Sequence, residues 1–520
     1  MLKSFRRSKL LTRLITLTLV LVVSLLTVNA LSITRAQTAS AAGTGTLRVG
    51  WTAPTKLDPA LFADAPDISV GVAVYDYLIT LDQKSNLVPS LAKSWTVSPD
   101  AKTYTLSLQS GVKFNDGSDF TADDVKFTFE RFQDPALKSG ASALFADVAS
   151  IDAVDPLTVK FTLKSPNSIF LDSLADYHTA ILKKGTKDPS KEFNGTGPFK
   201  EVSFDATSRG EFTAKPDYWK GVPKISKLEF IYVAAAADLV PALHGGQVDW
   251  VARLPLESYD ELKTDSNLTV GTSVTNGFSN VRIRSDRKPG SDPNVRKALR
   301  LALDRAALNQ ITFQGNAAVG QDNPVGPLYG SLIDPSAVAP KRDVAAAQKL
   351  LADAGYKDGL TLDFAVPKGE EGSDTLATAL QSQWKEANIN VNIKVIDQSV
   401  YYGDDKSPLY WLNADLAVTF WASRPDPQAY LDQLFKSGAD YNEAHYSNPA
   451  LDKLIDQARA ETDAKKRAGI LSQIQKLLID DGPSYIPYFQ PLFYAQAKNV
   501  SGITISPDPG LTSFATAAVS

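Results

Sequence analysis

Apolar residues along this chain alternate between two spacings. Trp95 and Val97, then Tyr104, Leu106 and Leu108 after the Pro99-Asp100 turn, follow the two-residue period of half-buried strands. Val125, Phe129 and Phe132 instead recur at i, i+4 and i+7, the stripe of one helix face. Between these segments Asn115-Asp116-Gly117-Ser118 reads as a turn, with Gly free to take positive φ. Thr121 reads as a helix cap, with Asp123 and Asp124 in the favourably charged first turn. The exchange of periods continues down the chain. Strands are predicted at Leu47–Trp51, Leu157–Leu163 and Lys227–Val233, and a helix at Ile68–Tyr77 leading into the strand Leu78–Leu81. Asp343–Tyr356 predicts a capped helix with Gly355 at C′, followed by a strand at Gly359–Val366, a helix at Thr375–Ala387 and a strand at Ile389–Ile396. Asn448–Asp481 predicts long helices, and Pro483–Phe493 a returning aromatic-rich strand. Such alternation predicts an α/β fold.

The start of the chain departs from this pattern. Lys3, Arg6, Arg7, Lys9 and Arg13 precede an uncharged run from Leu14 to Leu31, and both Val28-Asn29-Ala30 and Ala39-Ser40-Ala41 are small-residue sites. Residues 1–41 therefore read as an export signal, with an uncleaved anchor as the alternative. The 520 residues suffice for two or more domains with real cores. Without residues 1–41, which carry six basic and no acidic residues, the net charge falls from −4 to −10, a poor balance for general nucleic-acid binding. There is no cysteine, so disulfides, thiolate metal sites, cysteine nucleophiles and a cysteine-linked lipid anchor are all expected to be absent.

No catalytic signature stands out. Gly-x-Ser-x-Gly, His-Glu-x-x-His, the Walker loop and the dinucleotide fingerprint are missing. The three histidines, His178, His244 and His445, lack the short spacing common in structural zinc sites. The expectation is a protein that is not an enzyme and holds no metal or cofactor. A secreted hydrolase and a sensory receptor are the readings of other classes.

What gives the chain a direction is the run Pro89 to Arg131, PSLAKSWTVSPDAKTYTLSLQSGVKFNDGSDFTADDVKFTFER. It closely resembles the signature region of family 5 extracellular solute-binding proteins, the peptide- and nickel-type receptors of ABC importers. Gly195-Thr196-Gly197-Pro198-Phe199 with Lys215-Pro216-Asp217-Tyr218-Trp219-Lys220-Gly221 resembles the family's pattern at the expected distance. So do Ala242–Asp249 and the helical segment Asp292–Arg305, whose basic residues taken alone read as a solvated face. The resemblance spans about residues 47 to 515. It implies a bilobal periplasmic-binding-protein-like (Venus flytrap) fold with an extra domain inserted in the first lobe. Lobe I would hold 42–86, 191–285 and 487–520, the extra domain 87–190 and lobe II 286–486. It also implies a monomeric substrate-binding protein, exported to the periplasm or cell surface. Such a protein captures a peptide or peptide-like solute and delivers it to a membrane permease. The alternative ligands are an anionic opine-like compound, an oligosaccharide or a metal chelate.

The resemblance further points to Phe420–Pro427 as the ligand segment. In peptide-binding relatives the position of Trp421 lies at the inter-lobe cleft, and an Asp three residues later grips the ligand's ammonium. Here that second position is Arg424, a charge reversal. Its planar fork suits a carboxylate or phosphate, or it pairs internally with Asp426 or another acid. Asp426 itself reads as structural. Phe278 and Asn280 lie near a crossing strand, where Arg282 and Arg284 read as solvated. Thr52, Tyr401, Tyr402 and Tyr485 are candidates to line the pocket, aromatic rings offering area with a polar tip. Asn442 sits where relatives often contact ligand.

Overall fold

The computed structural model describes residues 43–403 and 408–520; the expected export signal lies outside them. Two seven-stranded sheets and one four-stranded sheet organise the chain. In lobe I the order is Leu268–Ser273, Leu492–Ala497, Trp250–Ala252, Thr46–Thr52, Lys227–Val233, Arg209–Ala214 and Phe199–Asp205. Thr46–Thr52 runs parallel to both Lys227–Val233 and Trp250–Ala252, and is buried on alternate residues and more. Lobe II orders Ala318–Val319, Tyr488–Phe489, Phe278–Ile283, Leu416–Trp421, Leu360–Pro367 and Ile389–Ile396, with Ser484–Tyr485 pairing beside Phe278–Ile283.

The signature stretch supplies two strands of the four-stranded sheet of the extra domain, whose order is Ala92–Val97, Thr103–Leu108, Thr158–Leu163 and Val148–Asp155. Its helix is Ala122–Glu130, where Asp124 accepts the Thr121 backbone N–H at 2.8 Å, as a reciprocal cap requires. The predicted apolar stripe lands in the core. Phe129 packs edge-on against Phe145 and Phe161, each at 5.2 Å, and lies tilted against Phe132 at 6.0 Å.

A single carboxylate joins the two separated motifs. Asp76, buried in lobe I, accepts from the Thr196 hydroxyl (3.1 Å), the Tyr218 hydroxyl (2.9 Å), the Trp219 indole (2.8 Å) and Lys220 (3.2 Å). The flanking glycines allow the approach: a Cβ at Gly195 would stand 2.0 Å from the Val74 carbonyl oxygen. This pair of segments is architecture rather than chemistry.

The helix of the Asp292–Arg305 segment, Pro293–Leu301, departs from the solvated face expected for its basic residues. Arg296 donates to the Asp481 carboxylate (2.5 Å) and carbonyl (3.0 Å). Arg300, almost fully buried, donates to Asp322 (3.0 Å) and to the Gly482 carbonyl (2.6 Å). Both therefore bind the end of the long helix Ala464–Asp481 instead of water. Pro483–Phe493 is likewise not one strand. It breaks into Ser484–Tyr485, Tyr488–Phe489 and the start of Leu492–Ala497, interrupted at Pro487 and Pro491, which have no N–H to give a ladder.

The chain passes between lobes at 274–277 and again at 490–491, because Phe278–Ile283 and Tyr488–Phe489 pair in the second sheet. The expected lobe I ranges 191–285 and 487–520 had included both strands. The two crossings are bonded together: Gln490 N–H donates to the Gly277 carbonyl (2.8 Å), and the Thr275 hydroxyl to the Gln490 carbonyl (2.7 Å). Beneath them one apolar cluster spans both lobes, with Tyr259 stacked on Phe493 at 4.4 Å and Phe313 edge-on to Tyr488 at 5.1 Å.

Candidate functional site

In open α/β sheets the crevice beyond the carboxyl ends of parallel strands is where ligands bind. Both lobes present such an edge. In lobe I the parallel strands end at Thr52, Val233 and Ala252; in lobe II they end at Pro367, Ile396 and Trp421. The loops leaving these ends carry Arg253 on one side and Glu370, Glu371 and Arg424 on the other. Glu371 of lobe II is exposed to solvent, with protein enclosing it from further out. This enclosure pushes its carboxyl up to about 7, opposed by Arg253 and assisted by Glu257 from lobe I. Glu370 is raised by burial too, and accepts the Tyr402 hydroxyl at 2.6 Å.

A cavity joins three parts of the molecule at the cleft. Ser423, Arg424 and Pro425 of lobe II face Asp176 and Tyr177 of the extra domain and Asp508 of the C-terminal segment of lobe I. Arg424 is half-buried. Burial opposes its charge, but Tyr177, Tyr430, Asp176 and Asp508 more than offset this and hold the guanidinium above its ordinary range. Asp508 is raised by burial, while the bond from His178 (2.6 Å) and the field of Arg424 outweigh burial at Asp176 and hold it low. Arg424 does not pair with Asp426, which is taken by Arg467 through two bonds of 2.8 and 2.6 Å. Among the described residues, the Arg424 guanidinium has no hydrogen-bonded partner. An enclosed fork with counter-charges nearby and no direct partner can receive a carboxylate from a solute. Nearby, the extra domain touches lobe II directly: the Ser168 N–H donates to the Arg459 carbonyl at 2.7 Å.

Trp421 closes the end of its strand, half-exposed, between the edges of Tyr430 and Tyr441, each ring 6.3 Å away. Its indole N–H donates to Glu443 at 2.7 Å. Glu443 is buried and also accepts from the Thr419 hydroxyl (2.8 Å) and Asn280 (3.3 Å), with Arg282 Nε at 3.8 Å. Burial pushes its carboxyl up to about 7, against the pull of Arg282 and these donors.

The remaining candidates, Thr52 apart, lie inside. Phe278 is fully buried against Tyr430 (5.0 Å) and Phe489 (5.8 Å). Tyr401 is fully buried, its hydroxyl donating to the Val418 carbonyl at 2.6 Å. Tyr485 is fully buried too, and donates to the Arg296 carbonyl at 3.1 Å. Asn442 bonds both the N–H (3.0 Å) and carbonyl (2.7 Å) of Tyr446 and so fixes its own loop. Thr52 is half-buried at the end of its strand. Arg282 and Arg284 are not solvated. Arg282 is fully buried and donates to the Tyr410, Trp411 and Ala414 carbonyls; Arg284 binds Asp286 and the Leu412 carbonyl. The helix Tyr410–Asn413 needs these donors for its free carbonyls. The sequence reading missed Glu443, Asp176 and Asp508. None stands in a spacing that singles it out, since their partners are remote in sequence.

Among the described residues no group of three or more His, Cys, Asp or Glu is placed to hold a metal ion, and no helix is long and apolar enough to cross a membrane.

Comparison with known proteins gives the family and the fold. Residues 86–442 match the model of bacterial extracellular solute-binding proteins, family 5 Middle. The glutathione-binding protein GsiB of Escherichia coli (strain K12) is 28% identical over 471 residues, 88% of this chain and 91% of GsiB. The ABC transporter substrate-binding protein CtaP of Listeria monocytogenes superposes with a TM-score of 0.80 at 24% identity, covering 92% of this chain and 99% of its own. The oligopeptide-binding protein AppA of Bacillus subtilis, solved with a nonapeptide, gives 0.75 at 24% identity, covering 92% and 99%.

Proposed function

Because this chain belongs to the bacterial extracellular solute-binding proteins of family 5, we propose that it is the capture component of an ABC importer, holding a peptide or peptide-like solute between its lobes. It is exported, closes around the solute and hands it to a membrane permease, and it performs no covalent chemistry. The observation that carries the ligand assignment is the small cavity of Arg424, Asp176 and Asp508, about 30 Å³, which has room for one polar end group of a solute rather than for the whole of it. Arg424 supplies a fork for a carboxylate, while the acids on the opposite wall keep the cavity from being purely cationic. A zwitterionic chain with a carboxylate suits that mixture better than a plain anion does. The relatives named for glutathione and for an oligopeptide support the same class.

Closure follows from linkage. A solute that touches both walls binds the closed arrangement more tightly than the open one, and shifts the population by that difference alone. A thermal-shift screen of residues 42–520 with glutathione, di- to pentapeptides, neutral oligosaccharides and carboxylated small solutes tests the assignment. At about 100 times Kd a true ligand adds about 2.7 kcal/mol of stability. Shifts with peptides of varied sequence support the reading. Shifts confined to sugars or to non-peptide anions replace it.

A further inference from the structure

We infer that Glu443 is the positioning residue of Trp421: it holds the indole in the cleft wall through the ring N–H, without itself facing the cleft. Three observations meet here. Trp421 is half-exposed at the carboxyl end of its strand, whereas Glu443 is 1% exposed beneath it. The indole Nε1–H···Oε1 distance of 2.7 Å is that of a strong, charge-assisted bond. Tyr430 and Tyr441 flank the same ring at 78° and 79°, which constrains its plane but leaves its tilt about the ring edge to the N–H bond.

Glu443 is itself held from two strands. Asn280 and Thr419 face each other across the sheet, and both donate to its carboxylate; Phe278 and Trp421 form the next pair but one of that register. Asn280 thus belongs to the support of Trp421 and does not face solute. The two crossing segments lead into this register, since Phe278–Ile283 begins directly after 274–277. The position of Trp421 is therefore tied to the strand that enters lobe II from the crossing.

The support is not rigidly saturated. Asn280 Oδ1 and Arg282 Nε are buried without a hydrogen-bond partner, although Arg282 Nε stands 3.8 Å from the Glu443 carboxylate, on which the Asn280, Thr419 and Trp421 donors converge. The charged and titratable groups that face Glu443 are Arg282, Tyr401 and Tyr402; Asn280, Thr419 and Trp421 are neutral donors. Burial brings Glu443 into titration near pH 7, which makes the state of the support readable in the unmodified protein.

The inference rests on the cleft reading above, but its test uses no solute. Tryptophan-labelled protein gives an indole N–H resonance for each of the seven tryptophans, and loss of one peak in Trp421→Phe assigns the relevant signal. In Glu443→Ala that resonance moves and its exchange with solvent rises about tenfold or more, the loss of a bond to a charged group. Glu443→Gln, which keeps an acceptor oxygen, restores the slow exchange at every pH. An unchanged resonance and exchange rate in Glu443→Ala overturns the proposal. If Glu443→Ala does not fold, the wild-type pH titration decides. Movement of the Trp421 signal with a midpoint near 7, absent in Glu443→Gln, supports it, and no movement overturns it. Failure of the solute assignment would appear differently, as an empty ligand screen with the Trp421 resonance still protected.

Discussion

Arg282 and Arg424 are both enclosed arginines of lobe II, and they are used in opposite ways. Arg282 is fully buried, its fork divided among the carbonyls of Tyr410, Trp411 and Ala414, with Glu443 alongside. Arg424 has acids around it but no bonded partner among the described residues, and it faces a cavity shared by lobe I, lobe II and the extra domain. A guanidinium with its donors engaged by backbone fixes a loop. One surrounded by charge but unbonded is available to something that arrives. Neither residue type nor charge separates the two roles; geometry does.

Removing Arg282 should have the largest effect on this contrast. Arg282→Met strands the buried Glu443 charge and three carbonyls, and should lower the unfolding free energy by about 3–5 kcal/mol in urea titrations. A loss below about 1 kcal/mol would erase the distinction between the two arginines. Next comes the pH dependence of Glu443. Its carboxyl sits at about 7 in the folded protein against an ordinary 4.5, so the folded state binds the extra proton in that window. Its contribution is fully present below pH 4.5 and is lost as pH rises through 7, by about 3 kcal/mol. Glu443→Gln should flatten that slope, measured as the difference in unfolding free energy from wild type across the window. For Arg424→Gln the change should appear in binding instead. Affinity for a peptide hit from the screen should fall about tenfold or more, with stability within about 0.5 kcal/mol of wild type. A large fall in melting temperature with binding retained would make Arg424 a second Arg282. The smallest effect belongs to Tyr402→Phe, which removes one hydroxyl bond to Glu370 and should cost about 1 kcal/mol in the same urea assay.

Local pattern carried most of the fold. Thr121 and Asp343 cap helices where the sequence places them, and Lys227–Val233 and Ile389–Ile396 are strands with the predicted bounds. These features depend on residues a few positions apart. What stayed hidden depends on partners far along the chain. Arg300 meets Asp322 and Gly482 at separations of 22 and 182 residues, so its burial left no periodic trace. Glu443 follows Asn442 immediately, and nothing in Tyr441-Asn442-Glu443 tells which side chain turns toward Trp421. The segment around Trp421 was singled out only through the family resemblance. The acids opposite Arg424 were not, because they come from the extra domain and from the C-terminal segment.

The paired crossings have a further consequence. Gly277 and Gln490 are joined by a backbone bond, and Thr275 fastens the same pair from the side. Two separate tethers would let the lobes slide past one another as well as swing. A single two-ply ribbon resists sliding and yields mainly to flexing about one line, as a book does along its spine. The gap between the covers is then one coordinate, and a pair of spectroscopic labels across the lips would follow the whole motion with a single distance.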